Sequence, residues 1–119
     1  FFDNSLFYKF REKAEKKGID VPIEAGIMPV INKKQVSKII ELSDAYFPPK
    51  FNKILDKYED NPEALRDAGI AYAVEQIVDL ISSEVDGIHL YTMNNPYVAR
   101  RIKEAVGSLI THINGKKVD

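Results

Sequence analysis

The sequence has no cysteine. That excludes disulfides, thiolate metal sites and cysteine nucleophiles, and it suits a reducing compartment such as the cytoplasm. Histidine is scarce as well. His89 and His112 are the only two and do not stand at ligand spacing, so no metal site is expected. Neither sign of charge prevails, with 17 Lys and Arg against 18 Asp and Glu. The balance gives no electrostatic reason to expect nucleic acid or an anionic membrane surface as a partner. No apolar run approaches the roughly 20 residues that span a bilayer, and no signal peptide is visible. A glycine-rich phosphate loop is missing, as is any nucleophile motif. So is an initiating Met. The chain begins Phe1-Phe2-Asp3, which reads as the middle of a buried strand. The expectation is therefore a cut N-terminus with further chain upstream.

What is present suits one globular domain: 119 residues, 45% of them hydrophobic. Asp3-Asn4-Ser5 offers helix caps, and Phe7, Phe10 and Ala14 recur at helical spacing before Lys16-Lys17-Gly18. This predicts a helix over residues 5–17 with a left-handed glycine cap. A strand is predicted over 21–25, with Pro22 tolerable at its start. Asn32 then caps a helix over 33–44 with Val36, Ile39, Ile40 and Ser43 on one face. Pro48-Pro49 opens a short helix over 49–58. Asn61-Pro62-Glu63 opens the longest, over 62–84, with Ile70, Val74, Ile77 and Ile81 as its stripe and Asp67, Glu75 and Asp79 opposite. Asp86-Gly87 turns the chain into a strand over 88–93. Asn95-Pro96 starts a last helix with Val98, Ile102, Ala105, Val106 and Leu109 facing inward, Gly107 complicating its end, and a frayed tail over 114–119.

Counting Phe1-Phe2 as a strand stub, three strands alternate with helices, which argues for parallel βαβ units. A complete (β/α)8 barrel takes about 250 residues. The expected class is α/β, the last three β/α units of such a barrel. Residues 1–119 would be the C-terminal part of a single barrel domain whose N-terminal part is absent.

In a barrel, chemistry sits where strands end. Asp3 stands at such a place, but helix capping explains it equally and is preferred. Gly26 would allow a tight turn or close approach of a ligand, Pro29 would fix the loop, and the Gln35 amide could bond a heterocycle's edge. A turn glycine and a solvated glutamine are the plainer readings. His89, Tyr91 and Met93 alternate to one face of their strand; His89 reads more readily as a core residue than as part of a site. Asn94 and Asn95 lie at the mouth, where Asn95 also caps a helix. Residues alone support part of an α/β barrel and no more.

Three blocks in order resemble the methylenetetrahydrofolate reductase family. They are Phe1-Phe2-Asp3-Asn4, then Gly18-Ile19-Asp20-Val21-Pro22-Ile23-Glu24-Ala25-Gly26-Ile27-Met28-Pro29-Val30, then Asp86-Gly87-Ile88-His89-Leu90-Tyr91-Thr92-Met93-Asn94. The last block resembles the family's H-F-Y-T-L-N-R ending, with Leu90 and Met93 in place of Phe and Leu. The resemblance implies a (β/α)8 barrel that binds FAD and reduces 5,10-methylenetetrahydrofolate to 5-methyltetrahydrofolate with NAD(P)H, a cytoplasmic reaction of one-carbon metabolism and methionine biosynthesis. The flavin would do the hydride chemistry, and the protein would position the substrate and supply a proton.

The same resemblance implies that the catalytic residues and most flavin contacts precede Phe1, which leaves three folate-side positions. Gln35 matches a glutamine that contacts the folate. Ile39, one turn later, matches an apolar position beside the p-aminobenzoyl portion. Asn95 stands where many members have an arginine, and so lacks that cation. The alternatives are a catalytically altered relative and a stand-alone half-barrel binding module. The isolated chain is expected to be inactive. It is also expected to self-associate through an apolar inner sheet face around Ile23, Tyr91 and Met93 and through unpaired strand edges.

Overall fold

A computed structural model describes residues 1–42, 46–92 and 94–118. The order is α1 (Asn4–Lys16), β1 (Glu24–Ile27), α2 (Lys33–Leu42), α3 (Pro49–Tyr58), α4 (Pro62–Ser82), β2 (Gly87–Leu90) and α5 (Pro96–Val118). β1 and β2 pair in parallel, from Glu24 opposite Gly87 to Ile27 opposite Leu90. Tyr91 N–H donates to Ile27 O at 2.9 Å and carries the pairing past β2.

The helix boundaries follow from their caps. Asp3 Oδ1 accepts from Ser5 N at 2.9 Å and from Ser5 Oγ at 2.7 Å, so Asp3 is the N-cap of α1. At the other end Gly18 has φ +74°, Ile19 N–H donates to Ala14 O, and Gly18 N–H donates to Glu15 O, each at 3.0 Å. That pair of bonds is a Schellman cap, which the Lys-Lys-Gly run predicts. Asn61 Oδ1 accepts from Ala64 N at 3.1 Å ahead of Pro62, fixing the start of α4.

Helix α4 is the hub, packing on α5, α3, β1 and α1. Its Ile70, Ala73, Ile77 and Leu80 are buried against Ala25 and Ile27 of β1 and against Val98, Ile102 and Val106 of α5. A second cluster joins Phe2, Val30 and Phe51. There the Phe2 and Phe51 rings stack at 4.8 Å, and Phe51 meets Tyr72 edge-on at 5.0 Å. A Cβ added to Gly69 would lie 1.7 Å from Val30 O, so the loop after β1 rests directly on the α4 backbone.

Several expectations are corrected. Phe1-Phe2 forms no strand. Its carbonyls are taken by α4 side chains, Tyr72 Oη donating to Phe2 O and Gln76 Nε2 to Phe1 O at 3.2 Å. β1 starts at Glu24, not at Val21. Pro22 has no N–H to offer, and Ile23 N–H donates to Asp86 Oδ2 at 2.9 Å instead of to a strand. β2 is shorter than expected at its C-terminal end, and Met93 and Ser43 lie outside the described residues. Phe10, Ile40 and Ala105 are exposed, not inward. α5 continues through Val118 across the tail expected to fray.

Candidate functional site

Because the strands are parallel, both end at the same edge, and the loops that follow them meet there. A cleft of about 270 Å³ lies between them. Gln35 from α2 and Asn95 from the loop before α5 both line it, with Pro29, Ile31 and Thr92. The structure thus brings together two of the three positions singled out in the sequence. Ile39 is not among the lining residues. It is half-buried and packs toward the Phe2–Val30–Phe51 cluster.

The Gln35 amide is engaged within the loop. Nε2 donates to Pro29 O at 3.0 Å, and Oε1 accepts from Ile31 N at 3.1 Å. Its backbone N–H in turn donates to Asn32 Oδ1 at 2.7 Å, the cap of α2. One amide hydrogen and one acceptor lone pair of Gln35 stay uncommitted in these bonds. A ligand can use them while the other half holds the loop. Asn95 is tied in a similar way, with Oδ1 accepting from Val98 N at 3.2 Å. The preceding Asn94 has φ +60°, a left-handed conformation that Asn tolerates better than most residues.

The two sheet faces differ. Ala25 and Ile27 point into the helices, whereas Glu24, Gly26, His89 and Tyr91 lie on the opposite, open side. His89 and Tyr91 rings meet edge-on at 4.3 Å, and both residues are exposed. His89 is therefore not the core histidine that the sequence suggests. Tyr91 leans across the sheet, its Cε2 3.0 Å from where a Cβ on Gly26 would be. The close approach that Gly26 permits is made by this ring. Ile23 packs with the helix core, whereas Tyr91 lies exposed on the open face, beside Glu24 and His89; Met93 is outside the described residues.

A second polar cluster escapes sequence reading altogether. Asn4 Nδ2 donates to Gln76 O at 3.0 Å and to Asp79 Oδ2 at 2.9 Å, and Tyr8 Oη donates to the same Asp79 oxygen at 2.6 Å. Gln76, buried, donates to Asn4 Oδ1 at 3.1 Å. The Tyr8 and Asn4 donors hold the Asp79 carboxyl below the usual carboxylate range. Burial, helped by nearby Asp3 and Glu75, pushes the Tyr72 phenol up to about 12. This cluster latches residues 1–8 onto α4. Only the spacing of Tyr72, Gln76 and Asp79 along one helix face hints at it.

Among the described residues, no group of three or more His, Asp or Glu side chains is arranged to hold a metal. Nor is any helix there long and apolar enough to cross a membrane.

The methylenetetrahydrofolate reductase family model matches residues 1–107. Among curated proteins, the chain is 30% identical over 107 residues to the 5,10-methylenetetrahydrofolate reductase of Escherichia coli (strain K12), covering 90% of this chain and 36% of that protein. It is 32% identical over 94 residues to methylenetetrahydrofolate reductase (NADH) 1 of Arabidopsis thaliana, covering 79% of this chain and 16% of the relative. With methylenetetrahydrofolate reductase 1 of Schizosaccharomyces pombe it shares 31% identity over 109 residues, 92% of this chain and 18% of the relative. The chain thus spans well under half the length of these relatives. The match over most of its length, with the parallel strand pair and the motif blocks in order, places it: this chain belongs to the methylenetetrahydrofolate reductase family.

Proposed function

We propose that the chain supplies the last β/α units of a (β/α)8 barrel domain, in an enzyme that reduces 5,10-methylenetetrahydrofolate to 5-methyltetrahydrofolate with NAD(P)H through FAD. The observation that carries this reading is the cleft at the shared end of two parallel strands, in a chain of this family, with Gln35 and Asn95 both among its lining residues. Barrel enzymes place their chemistry at that end of the strands. In this reading Gln35 uses its remaining hydrogen-bonding capacity on the folate, Asn95 borders the same ligand, and Ile39 supports the wall from behind. The absence of cysteine suits a cytoplasmic enzyme.

The residues present do not by themselves make a flavin site. Tyr91 occupies the space above Gly26 where a planar ring could otherwise rest on the sheet, and the sequence has no glycine-rich loop for a pyrophosphate. The flavin, which supplies the hydride transfer, is assigned to the rest of the barrel. This chain's share is to hold and orient the folate. Alone it is expected to be inactive. Isolated copies are expected to associate through the open sheet face, where Tyr91 is exposed, and through the unpaired strand edges.

Anaerobic mixing of the full-length protein with its substrates tests the reaction. NAD(P)H should bleach the flavin absorbance, and 5,10-methylenetetrahydrofolate should restore it. A reduced flavin that the folate leaves reduced would overturn the reading.

A further inference from the structure

One peptide bond joins the wall of the cleft to the helix behind it. The Val30 carbonyl lies against Gly69 of α4, so closely that a Cβ there would sit 1.7 Å from its oxygen and 2.8 Å from its carbon. The other half of the same bond, the Ile31 N–H, donates to Gln35 Oε1 at 3.1 Å. The bond is trans, so its C=O and N–H point in opposite directions. It is also planar, so neither end moves without the other. Whatever α4 does to the carbonyl is passed on to the Gln35 amide. Pro29 O, in the peptide just before, accepts from Gln35 Nε2 at 3.0 Å. Pro29, Ile31 and Gln35 line the cleft, and Gly69 does not. Both supports of the bond are firm. Gly69 is buried within a helix of 21 residues, and the Val30 side chain is held in the cluster with Phe2 and Phe51. Glycine is a poor residue for a helix interior, yet only glycine admits a carbonyl this close.

We propose that Gly69 is a positioning residue for the reaction. By admitting the Val30 carbonyl to the α4 backbone it sets the Val30–Ile31 peptide plane, and through that plane the direction in which Gln35 presents its remaining amide hydrogen and lone pair. The inference rests on the reading of the cleft as the folate site. A side chain at position 69 pushes the plane away from α4 and turns the Gln35 amide with it, although position 69 itself never meets the ligand.

The test uses the full-length protein with Gly69→Ala, Gln35→Ala and the two combined. Gly69→Ala should lower kcat/KM for 5,10-methylenetetrahydrofolate roughly 10- to 100-fold, as a misplacement of about 1 Å does. NAD(P)H oxidation by an artificial acceptor should fall much less. Added to Gln35→Ala, it should cost no more than about a further twofold, because the group it turns is gone. Leu80→Ala, which empties a fully buried site further along α4, is the control for lost stability and should change both half-reactions alike. A Gly69→Ala loss that multiplies in full with that of Gln35→Ala, or that follows the Leu80→Ala pattern, would overturn the proposal. If Gly69→Ala does not fold, Val30→Ala loosens the same peptide from its other side and enters the same cycle with the same expectations. A crystal structure of whichever variant folds decides the positioning by itself. Ile31 N to Gln35 Oε1, 3.1 Å here, should open beyond about 3.5 Å, and an unchanged pair would overturn the proposal even if folate turnover falls. Should the pair open while Gln35→Ala spares folate turnover, the folate reading of Gln35 fails and the link from Gly69 to Gln35 stands.

Discussion

The same four residues of β1 face two different worlds. Ala25 and Ile27 are fully buried against α4 and α5, while Glu24 and Gly26 look out onto a polar face shared with His89 and Tyr91. One side holds the fold together. The other is left open to water here, and in a barrel it would line the interior. Burial and exposure thereby alternate along a single strand, which is what a period of two permits. Glu24 and His89 on the open face also explain why this sheet does not read as the continuous apolar run usual for parallel strands buried on both sides.

The contrast is broken most directly from the helix side. Ile27→Ala should lower unfolding free energy by about 3–4 kcal/mol, since it empties a site with no exposure and full surroundings. Urea unfolding measures it. A loss below about 1 kcal/mol would mean that the strand is not anchored by α4. Gly69→Ala should follow at about 2–3 kcal/mol, because the new methyl group meets the Val30 carbonyl rather than a side chain that can turn away.

The latch between residues 1–8 and α4 should show in alkali. With its folded pKa raised to about 12, Tyr72 keeps its proton in the folded state after the unfolded chain has lost it. Its contribution is therefore complete below about pH 10, the unfolded value, and is lost as pH rises toward 12. Tyr72→Phe should flatten that alkaline decline in a pH series of melting temperatures; an unchanged slope would remove Tyr72 from the account. Asp79 works in the opposite sense. Its lowered pKa makes its contribution full above the ordinary carboxylate range and lost as pH falls below it, so Asp79→Asn should soften the acid limb. The smallest effect belongs to the open face. His89→Ala should change stability by less than about 0.5 kcal/mol, as for an exposed side chain whose main neighbour is another exposed ring.

Local chemistry was legible in the sequence, and distant pairing was not. Asp3, Gly18, Asn32, Asn61 and Asn95 each act on backbone within a few residues, and each cap stands where the residue types place it. Strand–helix alternation likewise gave the parallel pair. Asn4, Tyr8 and Tyr72, by contrast, find partners some 70 residues away, so Phe1-Phe2 reads as a strand although α4 claims its carbonyls. At the site, the mouth and two of its residues could be named from motifs. The double engagement of Gln35 could not, because it depends on how the loop after β1 folds back over α2. Nor could the choice between a core and an exposed His89, since alternation gives a face but not what covers it.

The central claim is that the cleft at the ends of β1 and β2 holds the folate. Gln35→Ala in the full-length protein tests it, with the two half-reactions measured separately and folding checked by melting temperature. Losing one polar contact to the ligand, on the order of 1–3 kcal/mol, should lower kcat/KM for 5,10-methylenetetrahydrofolate by roughly 5- to 150-fold, while NAD(P)H oxidation by an artificial acceptor falls much less. Equal losses in both half-reactions would contradict the account.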